Sequence, residues 1–204
     1  MPQREARAEA VRRGRHAIAA LLGSEPEGLA GRCRRLGLPA PEAGGFRLPF
    51  FGREAHFDAD RLELRRTDGS PTSDGDLILF LHYLAAPGAL IPGGEFISFR
   101  DLPGGAFYWE PFRSRTSAPL LARYGSDPAG LRAALDRFAW SGLELGDLAA
   151  RVHGFGNLYL SLVYNAAAEG FPAELNVLFD RAIKAVYCAE DAAAFASRIC
   201  LGLL

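Results

Sequence analysis

Lysine is nearly absent from this chain. Lys184 is the only lysine among 204 residues, so 22 of the 23 basic residues are arginine. Together with abundant alanine and glycine, this bias indicates a GC-rich genome rather than a phosphate-binding function. The one lysine does not follow a glycine, which excludes the phosphate-binding loop of P-loop nucleotide hydrolases. The formal net charge of −1 argues against a broad nucleic-acid-binding surface.

Cysteine and long apolar runs are also scarce. Cys33, Cys188 and Cys200 are odd in number and widely spaced, which excludes a zinc or iron–sulfur site readable from the sequence. We expect reduced thiols, with Cys188 and Cys200 on apolar faces. No segment reaches the roughly 18 apolar residues of a membrane-spanning helix. The apolar patch at residues 17–22 is too short for a signal peptide, so we expect a cytoplasmic protein.

The common catalytic motifs are missing as well. The chain has no Gly-x-Ser-x-Gly nucleophile elbow and no His-Glu-x-x-His metal motif. Its four histidines, His16, His56, His82 and His153, are scattered, and any of them could supply an axial ligand to a metal cofactor. His82 lies in a nearly continuous apolar segment, which favours a hydrogen-bonded histidine in the core.

The most distinctive segment is residues 91–115, which holds two Gly-Gly pairs, six aromatic residues and three arginines. One interpretation is a concave ligand-binding surface, because guanidinium groups stack on rings and bind carboxylates or phosphates. The residues of this candidate surface are Phe99, Arg100, Tyr108, Trp109, Arg113 and Arg115. The alternative is a loop that covers the core, with its arginines solvated or paired with Asp101 and Glu110.

Asp180 is added to the candidate ligand-binding residues. It adjoins Arg181, and in the helix predicted there the two side chains would diverge. Asp180 would then pair elsewhere, with an arginine of residues 91–115 as one candidate. A purely structural pairing is the alternative.

Periodicity and turn signals predict an α+β fold with a mainly antiparallel sheet, helices packed on it and a single domain. Residues 1–45 are predicted as a helical segment packed on the core, with a second helix starting at Ser24–Pro26. Residues 46–204 are predicted as the main α+β domain. Three short strands form a meander between residues 46 and 66, and a buried helix follows at residues 76–86.

The second half of the chain alternates helices and strands. We predict one helix over residues 111–124, a helix after Asp127-Pro128, and a hairpin of residues 146–153 and 158–164 whose second strand is central. Pro172 is expected to start another helix, through Phe179 and Ile183. A last helix is expected from Glu190 to the apolar end of the chain.

Several segments together resemble a family of unknown function from anaerobic bacteria and archaea. They are residues 79–84, 94–105, 108, 112, 146–147, 169–173, 176–181 and 189–191. The resemblance covers the chain from Phe46 onward and brings no assigned activity. Some family members are fused to a four-cysteine iron–sulfur domain that this chain lacks. The resemblance therefore implies a link to iron–sulfur, corrinoid or haem metabolism by association only.

Three hypotheses about function follow. The first is an accessory protein whose surface at residues 99–115 binds a flat anionic cofactor, such as haem or a corrinoid, or docks an iron–sulfur partner protein. The second is an enzyme that uses Glu95, Asp101, Glu169 or Asp180 as acid or base and arginines as anion ligands. The third is a structural protein that assembles through residues 199–204. The sequence does not determine the oligomeric state.

Overall fold

The computed structural model describes residues 2–24 and 27–204. It divides the chain into two compact units. The first comprises the chain up to Ile91 together with Phe155–Asn157 and Ala185–Tyr187. The second comprises Pro92–Gly154, Leu158–Lys184 and Cys188–Leu204. Both units combine helices with an antiparallel sheet, so the predicted α+β class is confirmed.

The first unit begins with two helices, α1 (Pro2–Ser24) and α2 (Gly28–Leu36). Gly37 ends α2 in the left-handed conformation, with φ of 66°, as expected for a glycine after a helix. The predicted start of this helix at Ser24–Pro26 includes residues 25 and 26, which lie outside the described part of the chain.

A three-stranded meander follows, as predicted. Its strands are β1 (Gly45–Phe50), β2 (Arg53–Asp58) and β3 (Glu63–Arg66), paired antiparallel in chain order. One face of the meander packs its phenylalanines against helix α3 (Asp74–Leu84). The ring centroids of Phe57 and Phe80 lie 4.9 Å apart.

Helix α3 is the predicted buried helix, and its two ends are fixed by polar contacts. Ser73 accepts a hydrogen bond from the backbone N–H of Asp76 and so caps the first turn. Asp76 forms an ion pair with Arg66 at 3.4 Å, and both side chains are only 5% exposed. At the other end, the buried guanidinium of Arg32 donates to the carbonyl oxygen of Leu84 at 2.7 Å. These contacts pair buried charges and satisfy helix-end groups that would otherwise be costly to bury.

The second unit is built on a five-stranded antiparallel sheet. In chain order its strands are β4 (Phe96–Ser98), β5 (Trp140–Gly142), β6 (Leu148–Phe155), β7 (Leu158–Asn165) and β8 (Glu174–Asp180). The spatial order is β4-β8-β7-β6-β5, so the hairpin prediction is confirmed and its second strand is central.

The helices of the second unit are α4 (Trp109–Arg115), α5 (Ser117–Tyr124), α6 (Pro128–Leu135) and α7 (Ala189–Leu203), with a 3-10 turn at Phe99–Asp101 and another at Arg181–Ala185. Helices α4 and α5 pack against one face of the sheet. Phe112 of α4 lies 6.1 Å from Phe179 of β8, and the hydroxyl of Tyr164 in β7 donates to the carbonyl of Gly125, just after α5, at 2.8 Å. The start of α6 is as predicted, because Asp127 accepts from the backbone N–H of Gly130.

The helix predicted from Pro172 onward is wrong. Residues 174–180 form strand β8, which pairs with both β7 and β4. Within it Leu175, Val177 and Phe179 are buried and alternate with more exposed residues. That period of two is the pattern of a strand, and the two neighbouring strands satisfy its backbone.

The helix predicted over residues 111–124 is two helices. The backbone departs from helical geometry at Thr116, with φ of −125° and ψ of −90°. The Thr116 hydroxyl is buried and donates to the carbonyl of Phe112 at 2.7 Å. The hydroxyl thus satisfies a carbonyl near the end of α4 where the chain turns into α5.

Two predictions about single side chains are corrected. Cys188 is exposed rather than on an apolar face, whereas Cys33 and Cys200 are buried. His82 is exposed although the helix around it is buried. It lies between the buried residues Leu81 and Tyr83 but on the outward-facing side of α3, so a nearly continuous apolar run did not place it in the core.

The apolar end of the chain is largely internal. Ile199 and Leu203 are fully buried, and the Tyr124 hydroxyl donates to the carbonyl of Leu203 at 2.7 Å. Leu201 and Leu204 remain exposed at 61% and 43%. Within residues 2–24 and 27–204, no helix has the length and apolarity needed to cross a bilayer.

Candidate functional site

The loop between the 3-10 turn and α4 is wound into consecutive tight turns. The backbone N–H groups of Leu102, Gly105, Phe107 and Tyr108 each donate to a carbonyl three residues earlier, at 2.8–3.2 Å. These four hydrogen bonds order the backbone of residues 99–108 as a series of turns.

Gly105 is required by this geometry. A Cβ atom at this position would overlap the carbonyl oxygen of Phe99. Gly104 precedes it with φ of 79°, a conformation that glycine adopts without steric cost. The second Gly-Gly pair of the sequence therefore permits the close backbone approach that shapes the loop.

Some aromatic residues of this segment belong to the core. The ring of Phe99 is 1% exposed and lies flat against Phe112, with ring centroids 4.0 Å apart and an angle of 1° between the planes. Phe112 in turn lies 6.1 Å from Phe179 of β8. The structure thus places Phe99 inside the second unit, where it anchors the loop.

Trp109 and Arg100 form the next layer outward. The guanidinium carbon of Arg100 lies 4.4 Å from the centre of the Trp109 ring system, within the range of a cation–π contact. Trp109 lies 5.9 Å from Phe112 and is half-buried. The indole therefore connects the buried rings to a charged group at the surface.

Two aromatic side chains point away from the core altogether. Phe107 is 91% exposed and Tyr108 is 63% exposed. Large exposed aromatic side chains are unusual on a rigid loop and are enriched at protein–protein interfaces. We call the surface formed by Arg100, Phe107, Tyr108 and Trp109 the Phe107 surface.

The remaining arginines of the segment lie on α4. Arg113 follows Trp109 by one helical turn and forms an exposed ion pair with Glu110, with an N–O distance of 3.0 Å. Arg115 is exposed in the last turn of the helix. Exposed pairs of this kind contribute little to stability, so these side chains can exchange partners at low cost.

The hydrogen-bond partners of Asp180 are backbone N–H groups. Its carboxylate accepts from the backbone N–H of Gly94 at 2.8 Å, of Gly93 at 3.3 Å and of Ala182 at 2.9 Å. It thereby fixes the first Gly-Gly pair beside the end of β8. The structure does not bring it together with an arginine of residues 91–115.

The carboxylates considered for catalysis are dispersed. Glu95 pairs with Arg181 at the surface, 3.1 Å away, and Glu169 is exposed in the loop before β8. Asp101 accepts from the backbone N–H of Ser98 at 2.7 Å and from its hydroxyl at 2.9 Å. These hydrogen bonds lower the pKa of Asp101, because they favour the charged form. Asp101 thus acts as a cap of the 3-10 turn.

The histidines and cysteines do not gather into a metal site. Among the described residues, no three histidine, cysteine, aspartate or glutamate side chains form a group that could hold an ion. His153 instead lies beside Tyr159, with ring centroids 5.0 Å apart. Arg151 lies over the same tyrosine ring. Arg151, His153 and Tyr159 thus form a cluster. They lie far in sequence from residues 91–115, and no pattern in the sequence predicted that they meet.

Comparison with known proteins gives one match. No curated protein and no solved structure matches the chain. A family model described as a domain of unknown function (DUF3786) matches residues 28–201, which is most of the chain. The protein therefore belongs to the DUF3786 family.

Proposed function

We propose that this protein is a cytoplasmic accessory protein that docks a partner protein through the Phe107 surface. The observation that carries the proposal is the 91% exposure of Phe107 on a loop whose backbone is held by successive turns. A preorganised loop loses little conformational entropy when it binds. An exposed phenylalanine beside a tyrosine, a tryptophan and an arginine has the composition of an interface hot spot.

The geometry supports a protein partner better than a flat cofactor such as haem or a corrinoid. Phe99 is stacked on Phe112 in the core, so its ring has no face for a ligand. Arg100 covers one face of Trp109, and Phe112 lies on the inner side. Phe107 and Tyr108 project outward instead. Side chains that insert into a pocket on a partner protein project in this way.

The arginines around Phe107 indicate which kind of partner surface would bind. Arg100 and Arg115 have no ion-pair partner among the described residues, and Arg113 has only the exposed Glu110. Guanidinium groups around an aromatic centre favour a partner that presents carboxylates at the rim of a hydrophobic pocket. An iron–sulfur protein of anaerobic metabolism, which the family resemblance suggests, is the partner that we propose.

Site-specific photo-crosslinking tests the proposal. A photoreactive phenylalanine analogue at position 107 should form a covalent adduct with one protein in the native host. The same analogue at position 171 is the matched control, because Phe171 is also an exposed phenylalanine, at 75%. The expected result is one adduct band from position 107, whose protein component contains iron and acid-labile sulfide, and none from position 171. Equal labelling from both positions would contradict the proposal.

Spectroscopy distinguishes the cofactor alternative. Added haem or cobalamin should cause no saturable, Arg100-dependent change in the visible spectrum. Any change in the wild-type spectrum should therefore also occur with the Arg100→Ala variant. A saturable shift that depends on Arg100 would instead favour a tetrapyrrole or corrinoid ligand at this surface.

A further inference from the structure

The two faces of the five-stranded sheet differ in character. Alternate residues of a strand point to opposite faces. On one face, Leu160 and Leu162 of β7 lie opposite Phe179 and Val177 of β8, and all four side chains are at most 4% exposed. Phe179 contacts Phe112 of α4, so this is the face that packs against the helices.

The other face carries a cluster of Arg151, His153 and Tyr159. The guanidinium carbon of Arg151 lies 3.9 Å from the centre of the Tyr159 ring, and the ring of His153 lies 5.0 Å from the same centre. Tyr159 alternates with Leu160, so the cluster lies on the face away from the helices. All three side chains are half-buried, which means that solvent reaches them.

Three donors on this face, those of Arg151, Tyr159 and Ser161, have no acceptor among the described residues. Among the described residues, Arg151 has no ion-pair partner, and the hydroxyl of Tyr159 donates to no protein group. Ser161, the next residue of β7 on this face, is 3% exposed, and its hydroxyl has no partner among the described residues either. The oxygen of Ser161 is not fully enclosed, so a ligand or ordered water can reach all three donors and complete their hydrogen bonds.

The acidic groups of β8 on this face make other contacts or lie at the end of the strand. On the same face of β8, Asp180 accepts three backbone N–H groups, and Glu174 lies at the end of the strand opposite Asn165. No ion pair joins Arg151 to an acidic side chain among the described residues, and partial burial strengthens the attraction of its positive charge for an anion.

We propose that the sheet face at Arg151, Tyr159 and Ser161 binds a small molecule that carries a carboxylate or phosphate group. The stacked guanidinium keeps its N–H edges available, and these match the paired oxygens of such an anion. The two hydroxyl groups supply further donors toward it. The tyrosine ring also offers a wall for an apolar or planar part of the ligand.

Titration followed by nuclear magnetic resonance tests this site. Inorganic phosphate and acetate are added separately at constant ionic strength, and the amide shifts of residues 151–161 are followed. We expect saturable shifts with at least one anion, and the tighter of the two identifies the class of ligand. Arg151→Gln should weaken that binding about tenfold or more, the size expected for loss of a charge-assisted hydrogen bond.

Arg123→Gln is the matched control, because Arg123 also lies over a tyrosine ring, that of Tyr124 at 5.3 Å, but is exposed rather than half-buried. It should leave anion binding unchanged. If Arg151→Gln does not fold, Tyr159→Phe removes one donor and should weaken binding several-fold. The proposal is overturned if neither anion gives saturable shifts, if the site variant binds like the wild type, or if Arg123→Gln weakens binding equally.

Discussion

Phe99 and Phe112 stack face to face 4.0 Å apart, while Phe107 lies between them in sequence and is 91% exposed. One short segment thus holds both a core anchor and a surface side chain. Phe112→Ala should lower the free energy of unfolding by about 3–5 kcal/mol, because it removes a buried ring and leaves a cavity.

Phe107→Ala is the control for that prediction and should change stability by less than about 0.5 kcal/mol, because the side chain is already in solvent. Urea denaturation followed by circular dichroism measures both variants. A similar loss of stability in the two variants would contradict the difference in burial between Phe112 and Phe107.

The ion pair of Arg66 and Asp76 in the first unit leads to a second prediction. Asp76→Asn leaves a buried guanidinium without its counter-charge, so the free energy of unfolding should fall by about 3–5 kcal/mol. The double variant Arg66→Met with Asp76→Leu removes both charges and should recover much of that loss. Chemical denaturation of the wild type and the two variants measures this difference. Equal destabilisation of the single and double variants would show that packing, rather than charge, dominates at this site.

Cysteine reactivity gives a third prediction. Burial raises the pKa of Cys33 to about 11 and that of Cys200 to about 12, so neither thiol ionises near neutral pH. Cys188 is exposed, although partial burial and Asp191 also raise its pKa. Ellman's reagent at pH 8 should therefore modify one thiol in the folded protein and three after denaturation. Modification of two or three thiols without denaturation would contradict the described burial.

Local patterns predicted most elements of this fold, and the errors have a common cause. The run 174–180 contains apolar residues at positions 175, 177, 178 and 179, which fit a short helix and a strand alike. Pairing with β7 on one side and β4 on the other makes this run a strand, and β4 lies far earlier in the chain. Short elements whose state depends on distant neighbours are not determined by their own periodicity.

The same limit applies to the candidate sites. Residues 91–115 stand out in the sequence because glycine and aromatic residues are concentrated there. The sequence did not indicate that Phe99 is buried and Phe107 is exposed. Arg151 and Tyr159 meet because a hairpin folds β6 onto β7. Buried Arg32 gave no local signal, because the carbonyl groups that it binds lie at the end of α3.

The Phe107 surface is the central claim, and an affinity measurement tests it most directly. With the crosslinked partner purified, its dissociation constant should be measured for the wild type, Phe107→Ser and Phe171→Ser. We expect Phe107→Ser to weaken binding about 30-fold or more, as loss of an interface hot spot of about 2 kcal/mol does. Phe171→Ser should bind like the wild type. Equal affinities of all three proteins would contradict docking through Phe107.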